Sequence, residues 1–326
     1  MIILPPAALQ RRRRIGLGLR ASGAGYRLGM SFTLDPGQPI PEAVQKVAQK
    51  QLRKIVEALS GQAGLGPDEA AHDARKRTKK LRSLLRLVRR ELGDKSYRRE
   101  NAALRDAARR LSPVRDAWVL VEALDDLVSP PDDHLTPEAV AGLRAVLTRE
   151  HRALQEGQGE NDVLSQAAAD YERVLSRVSR WPLHDHGWGS LEDGMATVVR
   201  EGRRHMDKAA AKGRSEDYHE WRKQVKYLRH QLELLRPAWP DVLHAMAGTA
   251  DEIAELLGAD HDLAVLREKM MGEPVLAPET QRALLDRIDE RRSEHQREAI
   301  DLGRRVYAEK PSSLTQRLGR LWKAAA

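Results

Sequence analysis

Apolar residues return every three or four positions along most of the chain from Pro39 onward. Side chains three and four residues apart share one face of an α-helix, so this spacing indicates amphipathic helices. A strand would require apolar and polar residues to alternate over several positions, and no stretch of useful length does so. The pattern therefore predicts an all-α protein.

Prolines, glycines and polar clusters divide the pattern into successive helices. Proline is tolerated in the first turn of a helix and disrupts its interior, so prolines mark predicted helix starts and Ser112-Pro113 marks a break. Thr136 followed by Pro137 is typical of a helix N-terminus. The predicted helices span residues 40–59, 68–92, 96–127, 137–180 with an interruption at 157–159, 191–211, 215–236, 240–271, 278–308 and 314–322.

The stretch His72–Arg90 recurs later in the chain as His219–Arg236. Two further matched pairs, Arg115-Asp116 and His261-Asp262, follow at nearly the same offset. Two motifs in the same order indicate an internal duplication, and two copies are too few for a solenoid. Without any gap, His72, Arg75, Lys76, Lys79, Leu81 and Arg82 align with His219, Arg222, Lys223, Lys226, Leu228 and Arg229.

The duplication predicts two four-helix bundles related by pseudo-twofold symmetry. The first half would span residues 39–180, and the second half would span residues 191–310. The segment 181–190, WPLHDHGWGS, interrupts the helical pattern and is predicted to be the linker between them.

The two ends of the chain are predicted to lie outside the bundles. Residues 1–38 contain the basic run Arg11–Arg14 and a Gly-rich stretch without periodicity, which indicates a disordered basic arm. The alternative is that the native protein begins at Met30. Residues 311–326 are predicted to form a short basic tail.

Each copy of the repeated motif separates its cations from its apolar residues. At about 100° per residue, the histidine and most cations of the first copy fall within a sector of about 120°, opposite Leu81. In the second copy Trp221 and Leu228 lie on the apolar face. A charged run is usually a solvated face of mixed sign, but nine cations here accompany the single acid Asp73. Because like charges repel, the recurrence of such a face indicates a bound polyanion.

The composition also favours an anionic partner. The 326 residues include 56 Lys and Arg against 48 Asp and Glu, which gives a net charge of +8 and a pI near 9.7. Nucleic acid, a membrane surface and a phosphate polymer would all be attracted. Cysteine is absent, which excludes disulfides and thiolate metal sites. No apolar run approaches the roughly 20 residues of a membrane span, and Met1–Pro6 is too short for a signal peptide, so a cytoplasmic protein is predicted.

Two other classes of function stay open. Three His-Asp pairs, at 72–73, 184–185 and 261–262, could bind metal in a phosphohydrolase, but a two-residue pattern is weak and neighbouring cations would repel the metal. A nucleic-acid-binding helical protein would suit the charge, but aromatic residues make up 4% of the chain and form no stacking platform. No catalytic serine arrangement is evident and cysteine catalysis is excluded, so we expect neither enzyme activity nor a cofactor.

The paired motifs resemble those of the CHAD family, the conserved histidine α-helical domain. The resemblance spans about residues 26–307 and implies two pseudo-symmetric helical bundles around a basic central groove or pore that binds inorganic polyphosphate. It implies binding without turnover, with polyphosphate granules as the place where such a protein would organise or be targeted to the polymer. The residues that carry it are His72-x-x-Arg75-Lys76-x-x-Lys79-Lys80-Leu81-Arg82 with Arg115-Asp116, and His219-x-x-Arg222-Lys223-x-x-Lys226-x-Leu228-Arg229 with His261-Asp262.

The resemblance also implies which side chains contact the polymer. Arg suits bidentate phosphate contacts, and Lys supplies a mobile point charge. His72 and His219 either donate hydrogen bonds to phosphate or pack against a neighbouring helix. Tyr227 replaces Lys80 and Glu233 replaces Arg86, so the second face is expected to be less basic. The predicted polyphosphate-binding residues are Lys50, Arg53, His72, Arg75, Lys76, Lys79, Lys80, Arg82, Arg86, Arg115, Arg200, Arg203, Arg204, His219, Arg222, Lys223, Lys226, Tyr227, Arg229 and His261.

Overall fold

The computed structural model describes residues 32–111, 113–129, 135–156, 160–272 and 276–326. Within these ranges, the side chains of residues 113–117, 154–156, 160 and 161 are left undescribed. Most of the predicted N-terminal arm therefore lies outside the described residues, as do the interruption at 157–159 and the side chains of Arg115 and Asp116.

Eleven α-helices make up most of the described chain, and none of its described residues forms a β-strand. The predicted all-α class is confirmed. Among these helices, none combines the length and apolar character needed to cross a membrane. The helices are α1 (Ile40–Leu59), α2 (Pro67–Leu87), α3 (Arg89–Arg110), α4 (Pro113–Leu127), α5 (Ala141–Glu156), α6 (Glu160–Leu175), α7 (Gly189–Lys212), α8 (Ser215–Leu235), α9 (Pro240–Gly272), α10 (Pro278–Val306) and α11 (Pro311–Ala325).

Prolines begin several helices, as the sequence predicts. Pro113 begins α4 directly after the predicted break, and Pro240 begins α9. A proline at the first helical position loses no intrahelical hydrogen bond, because the first amides of a helix have no intrahelical acceptor. The two helices with the repeated basic motif are thus α2 and α8.

Several predicted helix boundaries are wrong. The helix predicted over 68–92 ends at Leu87, because Val88 leaves the helical region with φ −103° and ψ 21°. The chain then enters α3, where Gly93 has φ 68°, a conformation that residues with a Cβ rarely adopt. The backbone of Ala139 donates a hydrogen bond to the Thr136 hydroxyl at 3.2 Å, as expected of a cap, but residues 137–140 form turns and α5 begins only at Ala141.

The larger hydrophobic cluster contains helices from both predicted halves. It combines buried residues of α1, α2, α3 and α6 with those of α7, α8, α11 and the first part of α9. Tyr171 and Trp221 are fully buried within it. Trp181 and Trp188, from the predicted linker, are buried in the same cluster, so core packing fixes both ends of that segment.

A second hydrophobic cluster lies among α4, α5, the last part of α9, and α10. Leu124 and Leu143 contribute from the first predicted half, and Leu266 and Ile288 contribute from the second. Each cluster therefore mixes helices from before and after residues 181–190. The predicted pseudo-twofold symmetry stays a prediction.

The predicted basic tail forms helix α11 and packs against α7. Leu314, Leu318 and Trp322 are buried on its inner face. The ring of Trp322 lies 6.3 Å from that of Trp188, which connects α11 to the start of α7. The C-terminal residues therefore contribute to the core.

Candidate functional site

A groove of about 810 Å³ lies where α2, α8 and α9 meet, with α4 completing its wall. We call it the central groove. Six Lys and Arg side chains line it, against three acids, so both copies of the repeated motif concentrate positive charge in one place. Its lining residues are His72, Arg75, Lys76, Lys79, Val119, Leu120, Arg222, Lys226, Arg229, His230, Asp251, Glu255, His261, Asp262 and Val265.

The two basic helices are joined by hydrogen bonds around Ser83 and Tyr227. The Ser83 hydroxyl donates a hydrogen bond of 2.9 Å to the Tyr227 carbonyl oxygen, and the Gln231 amide donates to the Ser83 carbonyl at 3.5 Å. Lys80 and Glu233 form an ion pair of 3.3 Å between the same helices. Because the side chains of Ser83 and Gln231 are buried, these bonds hold α2 against α8 in a defined register.

Helix α2 presents its groove cations to water. Lys76 and Lys79 are exposed, and Arg75 is half-buried. The single acid of the motif, Asp73, pairs with Arg77 at 2.5 Å, and neither residue lines the groove. The face of α2 that lines the groove is therefore cationic and partly exposed to solvent.

Helix α8 contributes Arg222, which is held by its contacts with α9. The Arg222 guanidinium donates a hydrogen bond of 3.3 Å to the Ala254 carbonyl on α9. Gly258 makes room for it, because a Cβ at that position would lie 2.8 Å from Arg222 Nη2. Burial lowers the pKa of Arg222, although this group stays charged at neutral pH.

The amine of Lys226, also on α8, has a strongly lowered pKa. Burial, followed by the charges of Arg222 and Lys79, lowers its pKa to about 7, while Asp262 acts in the opposite direction. Lys79 belongs to α2, so the two lysines that match in the repeat influence each other across the groove. The sequence-based pairing of Lys79 and Lys226 thus corresponds to spatial proximity.

The matched histidines have different surroundings. The ring of His219 packs against that of His261, with centroids 4.5 Å apart and planes tilted by 45°. Burial and the neighbouring His261 lower the pKa of His219 to about 4, so its ring is neutral at pH 7. This geometry favours packing over a charged phosphate contact for His219. His72 is exposed and lines the groove.

Glu233, which replaces the arginine found in the first copy, is neutralised by cations. Burial opposes its ionisation, but a hydrogen bond with His230 and the charges of Lys80 and Arg229 lower its pKa to about 2. Arg229 also pairs with Asp251 on α9. This network joins α2, α8 and α9 beside the groove.

Arg86 lines a different cavity, of about 610 Å³, between α2, α3 and α7. Its guanidinium lies 4.1 Å from the centroid of the Tyr227 ring, so the tyrosine that replaces a lysine serves as a stacking partner. Arg90, in the same cavity, pairs with Asp193 at 2.6 Å. The charges of this cavity are therefore largely paired within the protein.

The geometry can be compared with known proteins. The sequence profile of the CHAD domain matches residues 46–270, a range that contains α2, α8 and most of α9. The chain belongs to the CHAD family. No curated protein sequence matches it.

Two solved structures share the CHAD fold with this chain. PptA from Streptomyces chartreusis superposes with a TM-score of 0.57 at 16% identity, covering 83% of this chain and all 100% of PptA. The CHAD domain from the plant Ricinus communis gives a TM-score of 0.55 at 18% identity, covering 88% of this chain and 97% of that domain. At such identities, the likeness shows the fold alone.

Eight of the residues predicted from the CHAD motif line the central groove. They are His72, Arg75, Lys76, Lys79, Arg222, Lys226, Arg229 and His261. These positions come from the N-terminal part of α2, the middle of α8 and the second half of α9. The structure thus brings together residues that are widely separated along the chain.

The other predicted residues lie elsewhere. Lys50 and Arg53 are exposed on α1, and Arg200, Arg203 and Arg204 are exposed on α7. Arg82 donates to Asn101 at 2.9 Å, Lys223 pairs with Glu220 at 2.6 Å, Lys80 pairs with Glu233, and His219, Arg86 and Tyr227 pack as described. The side chain of Arg115 is outside the described residues. Whether these positions contact a ligand stays a prediction.

Two of the groove acids, Asp251 and Glu255, were missed by sequence reasoning, whereas Asp262 belongs to the predicted His261-Asp262 motif. Asp251, Glu255 and Asp262 all line the groove from α9. Their separations of four and eleven residues place them within about 40° on one helix face, so the spacing contains a usable signal. The apolar lining residues Val119 and Leu120 carry no such signal, because their position depends on how α4 packs.

The His-Asp pairs do not form a common cluster. Among the described residues, no three His, Asp or Glu side chains are grouped closely enough to hold a metal ion. His184 and Asp185 lie in the 181–190 segment, where their backbone amides donate to the Glu91 carboxylate at 3.3 and 3.1 Å. His261 and Asp262 both line the central groove.

Proposed function

We propose that this CHAD protein binds inorganic polyphosphate in the central groove and does not hydrolyse it. The observation that carries the proposal is the convergence of six Lys and Arg side chains from α2 and α8 on one groove. Twice as many cations as acids line it, which favours a ligand with several negative charges. Family membership supports the same ligand, since the CHAD resemblance implies polyphosphate.

The distribution of the cations suits an extended polymer. From His72 to Lys79, α2 rises about 10 Å, so several phosphate groups could lie along it. Lys76 and Lys79 are exposed on flexible stems and can follow a chain that shifts its register. Arg222, fixed by α9, supplies a planar donor in a constant position.

The groove suits polyphosphate better than single-stranded nucleic acid. Proteins that bind single strands without sequence preference usually stack bases on aromatic side chains. Among the described residues that line the groove, none is Phe, Tyr or Trp. Binding without hydrolysis would allow the protein to organise the polymer or to associate with polyphosphate granules.

Competition at physiological salt tests the ligand. Labelled long polyphosphate bound to the protein is displaced with unlabelled long polyphosphate, short polyphosphate, ATP and duplex DNA. We expect long polyphosphate to displace the label at the lowest phosphate concentration. Equal displacement by all four competitors would show a non-specific polyanion surface and overturn the proposal.

A matched pair of variants tests the location. Lys76→Gln removes an exposed cation from the groove, and Lys46→Gln removes an exposed cation from α1. Both change the net charge equally. Lys76→Gln should weaken binding by about 1.5 kcal/mol, or roughly tenfold, because a charged hydrogen bond is lost. An equal loss with Lys46→Gln would assign binding to net charge alone.

A phosphate-release assay tests the absence of turnover. The protein is incubated with polyphosphate in the presence and absence of Mg²⁺ or Mn²⁺, and released phosphate is expected to stay at background. Release that disappears with His261→Ala would replace the binding proposal with a metal-dependent enzyme.

A further inference from the structure

Lys226 lines the central groove one turn before Arg229, and the protein holds these two side chains differently. Among the described residues, Lys226 forms no hydrogen bond or ion pair, whereas Arg229 on the next turn is held by Asp251 and Glu233. The side chain of Lys226 is half-buried and lines the central groove. Its amine is therefore open to a small molecule in the groove and partly shielded from bulk water.

The groups around Lys226 come from all three helices of the groove. The residues with the strongest electrostatic influence on it are Arg222 and Arg229 on α8, Lys79 on α2 and Asp262 on α9. The remaining charged and titratable lining consists of His72, Arg75 and Lys76 on α2, His230 on α8, and Asp251, Glu255 and His261 on α9. The excess of cations would hold a phosphate group beside the amine.

The same surroundings keep much of Lys226 in the free-amine form. Burial and the neighbouring cations lower its pKa to about 7, whereas an exposed lysine has a pKa near 10.4. The neutral amine is the nucleophilic form of lysine. The groove therefore places a nucleophile next to a phosphate-binding set of cations.

We propose that Lys226 is a modification site for small acyl phosphates, with the phosphate group held by the groove cations and the carbonyl carbon next to the amine. Acyl phosphates fit because the electrophilic carbon is joined directly to the phosphate oxygen. The proposal rests on the affinity of the groove for phosphate, as the proposed function does.

The reaction needs no further reactant. The Nζ lone pair of Lys226 attacks the carbonyl carbon and forms a C–N bond, and the C–O bond to the phosphate breaks. Inorganic phosphate leaves with the electron pair of that bond, and the nitrogen loses one proton to phosphate or water. Arg222 and Lys79 stabilise the negative charge on the leaving phosphate. The product is an amide on Lys226, which can no longer carry a positive charge.

The modification would oppose polyphosphate binding. An acylated Lys226 leaves five cations in place of six and fills part of the groove. Bound polyphosphate would in turn protect Lys226, because it occupies the same space and favours the protonated amine. The groove would then respond to the supply of acyl phosphates.

Site-resolved acetylation tests the proposal. The full chain is incubated with acetyl phosphate near pH 7.5, and acetyl occupancy at each lysine is followed over time by mass spectrometry. Lys226 should react at least about tenfold faster than the exposed Lys46 on α1, since one unit of pKa changes the free-amine fraction tenfold. Long polyphosphate should suppress the reaction at Lys226 and leave Lys46 unchanged.

Two controls separate phosphate recognition from simple reactivity. p-Nitrophenyl acetate carries the acetyl group without a phosphate, so the advantage of Lys226 over Lys46 should be smaller with this reagent. Lys226→Arg keeps the charge and removes the nucleophile. Acetyl phosphate should weaken polyphosphate binding by the natural protein and leave binding by Lys226→Arg unchanged.

The outcomes distinguish this proposal from the proposed function. Polyphosphate binding together with a Lys226 that reacts no faster than Lys46 would overturn the modification site alone. Fast acetylation of Lys226 without any polyphosphate binding would overturn the proposed function alone. Fast acetylation that bound polyphosphate does not suppress would contradict a shared groove.

Discussion

Lys79 on α2 and Lys226 on α8 occupy matching positions of the repeat and line the same groove, but they differ in exposure to solvent. Lys79 is exposed, whereas Lys226 is half-buried and has a pKa of about 7. The matched histidines differ in the same direction, since His72 is exposed and His219 packs against His261. One motif therefore produces a more exposed wall on α2 and a more buried wall on α8.

The difference follows from what covers each helix. Trp221 on α8 stands where α2 has Ala74, and both are fully buried. Trp221 reaches α10, where a Cβ on Gly303 would lie 2.7 Å from its ring. Helix α8 also packs against α7, α9 and α2. Burial lowers the pKa of Arg222 and Lys226 on α8, whereas Lys76 and Lys79 on α2 are exposed.

The largest expected effect concerns the double variant Lys79→Gln with Lys226→Gln. Each substitution should weaken polyphosphate binding by about 1.5 kcal/mol, so the pair should lose about 3 kcal/mol, or more than a hundredfold. Binding is measured at fixed salt because the affinity depends on ionic strength. A double variant that binds as tightly as either single variant would show that α2 and α8 do not bind the same ligand.

The melting temperatures of the two single lysine variants, measured without ligand, should also differ. Lys226→Gln removes a partly buried cation among cations, so it should raise the melting temperature more than Lys79→Gln does. A sharp loss of stability in either variant, with unchanged binding per folded molecule, would make these lysines structural.

The histidines predict a difference in acid stability. An unfolded chain protonates His219 as the pH falls through about 6.5, whereas the folded pKa is about 4. The unfolded state then binds more protons, so the free energy of unfolding should decrease as the pH falls from about 6.5 to 4. In denaturant titrations, His219→Gln should weaken the dependence of the free energy of unfolding on pH. The His72→Gln variant should keep a steeper dependence than His219→Gln. Equal slopes would contradict the packing role of His219.

Two glycines on α9 allow a test of whether Arg222 is held in place. Gly258→Ala places a Cβ 2.8 Å from Arg222 Nη2, whereas Gly248→Ala meets nothing within 4 Å. Gly248→Ala should stabilise the helix by up to about 1 kcal/mol. Gly258→Ala should be less stable than Gly248→Ala by about 1 kcal/mol and should bind polyphosphate more weakly, because Arg222 must move. Identical denaturation midpoints would show that Arg222 is not held in place.

The smallest expected effect is proton uptake on binding. At pH 8 a polyanion should return part of a proton to Lys226, because its phosphates favour the ammonium form. Calorimetric titration in two buffers of different ionisation enthalpy measures this uptake. Lys226→Arg should abolish the Lys226 contribution, and Lys79→Arg should preserve it. Uptake that survives in Lys226→Arg would come from another group.

Periodicity and proline positions were enough to predict the all-α class and the limits of α8 and α9. The repeat also identified Lys79 and Lys226 as a pair, and the structure places both in one groove. These features depend on local spacing, which a sequence contains directly. The end of α2 at Leu87 was not predicted, because the apolar spacing continues through Val88 and Leu92, which are both buried.

The neighbours of each cationic face were not predictable. The periodicity of α7 shows that Arg203 lies on a polar face, but it does not show whether this face lines the groove. The contact between His219 and His261 joins two helices, so no local pattern contains it. Sequence spacing identifies which residues share a side of one helix, and tertiary packing decides what that side meets.

Helix α9 contributes to both hydrophobic clusters and lines the central groove. Its 33 residues extend about 50 Å as one uninterrupted helix. The buried apolar residues of α9 up to Leu257 belong to the larger core cluster, and those from Leu263 onward belong to the second cluster. His261 and Asp262 lie between these two sets. Any displacement of α9 at the groove would therefore act on both hydrophobic clusters, because the same continuous helix contributes to each.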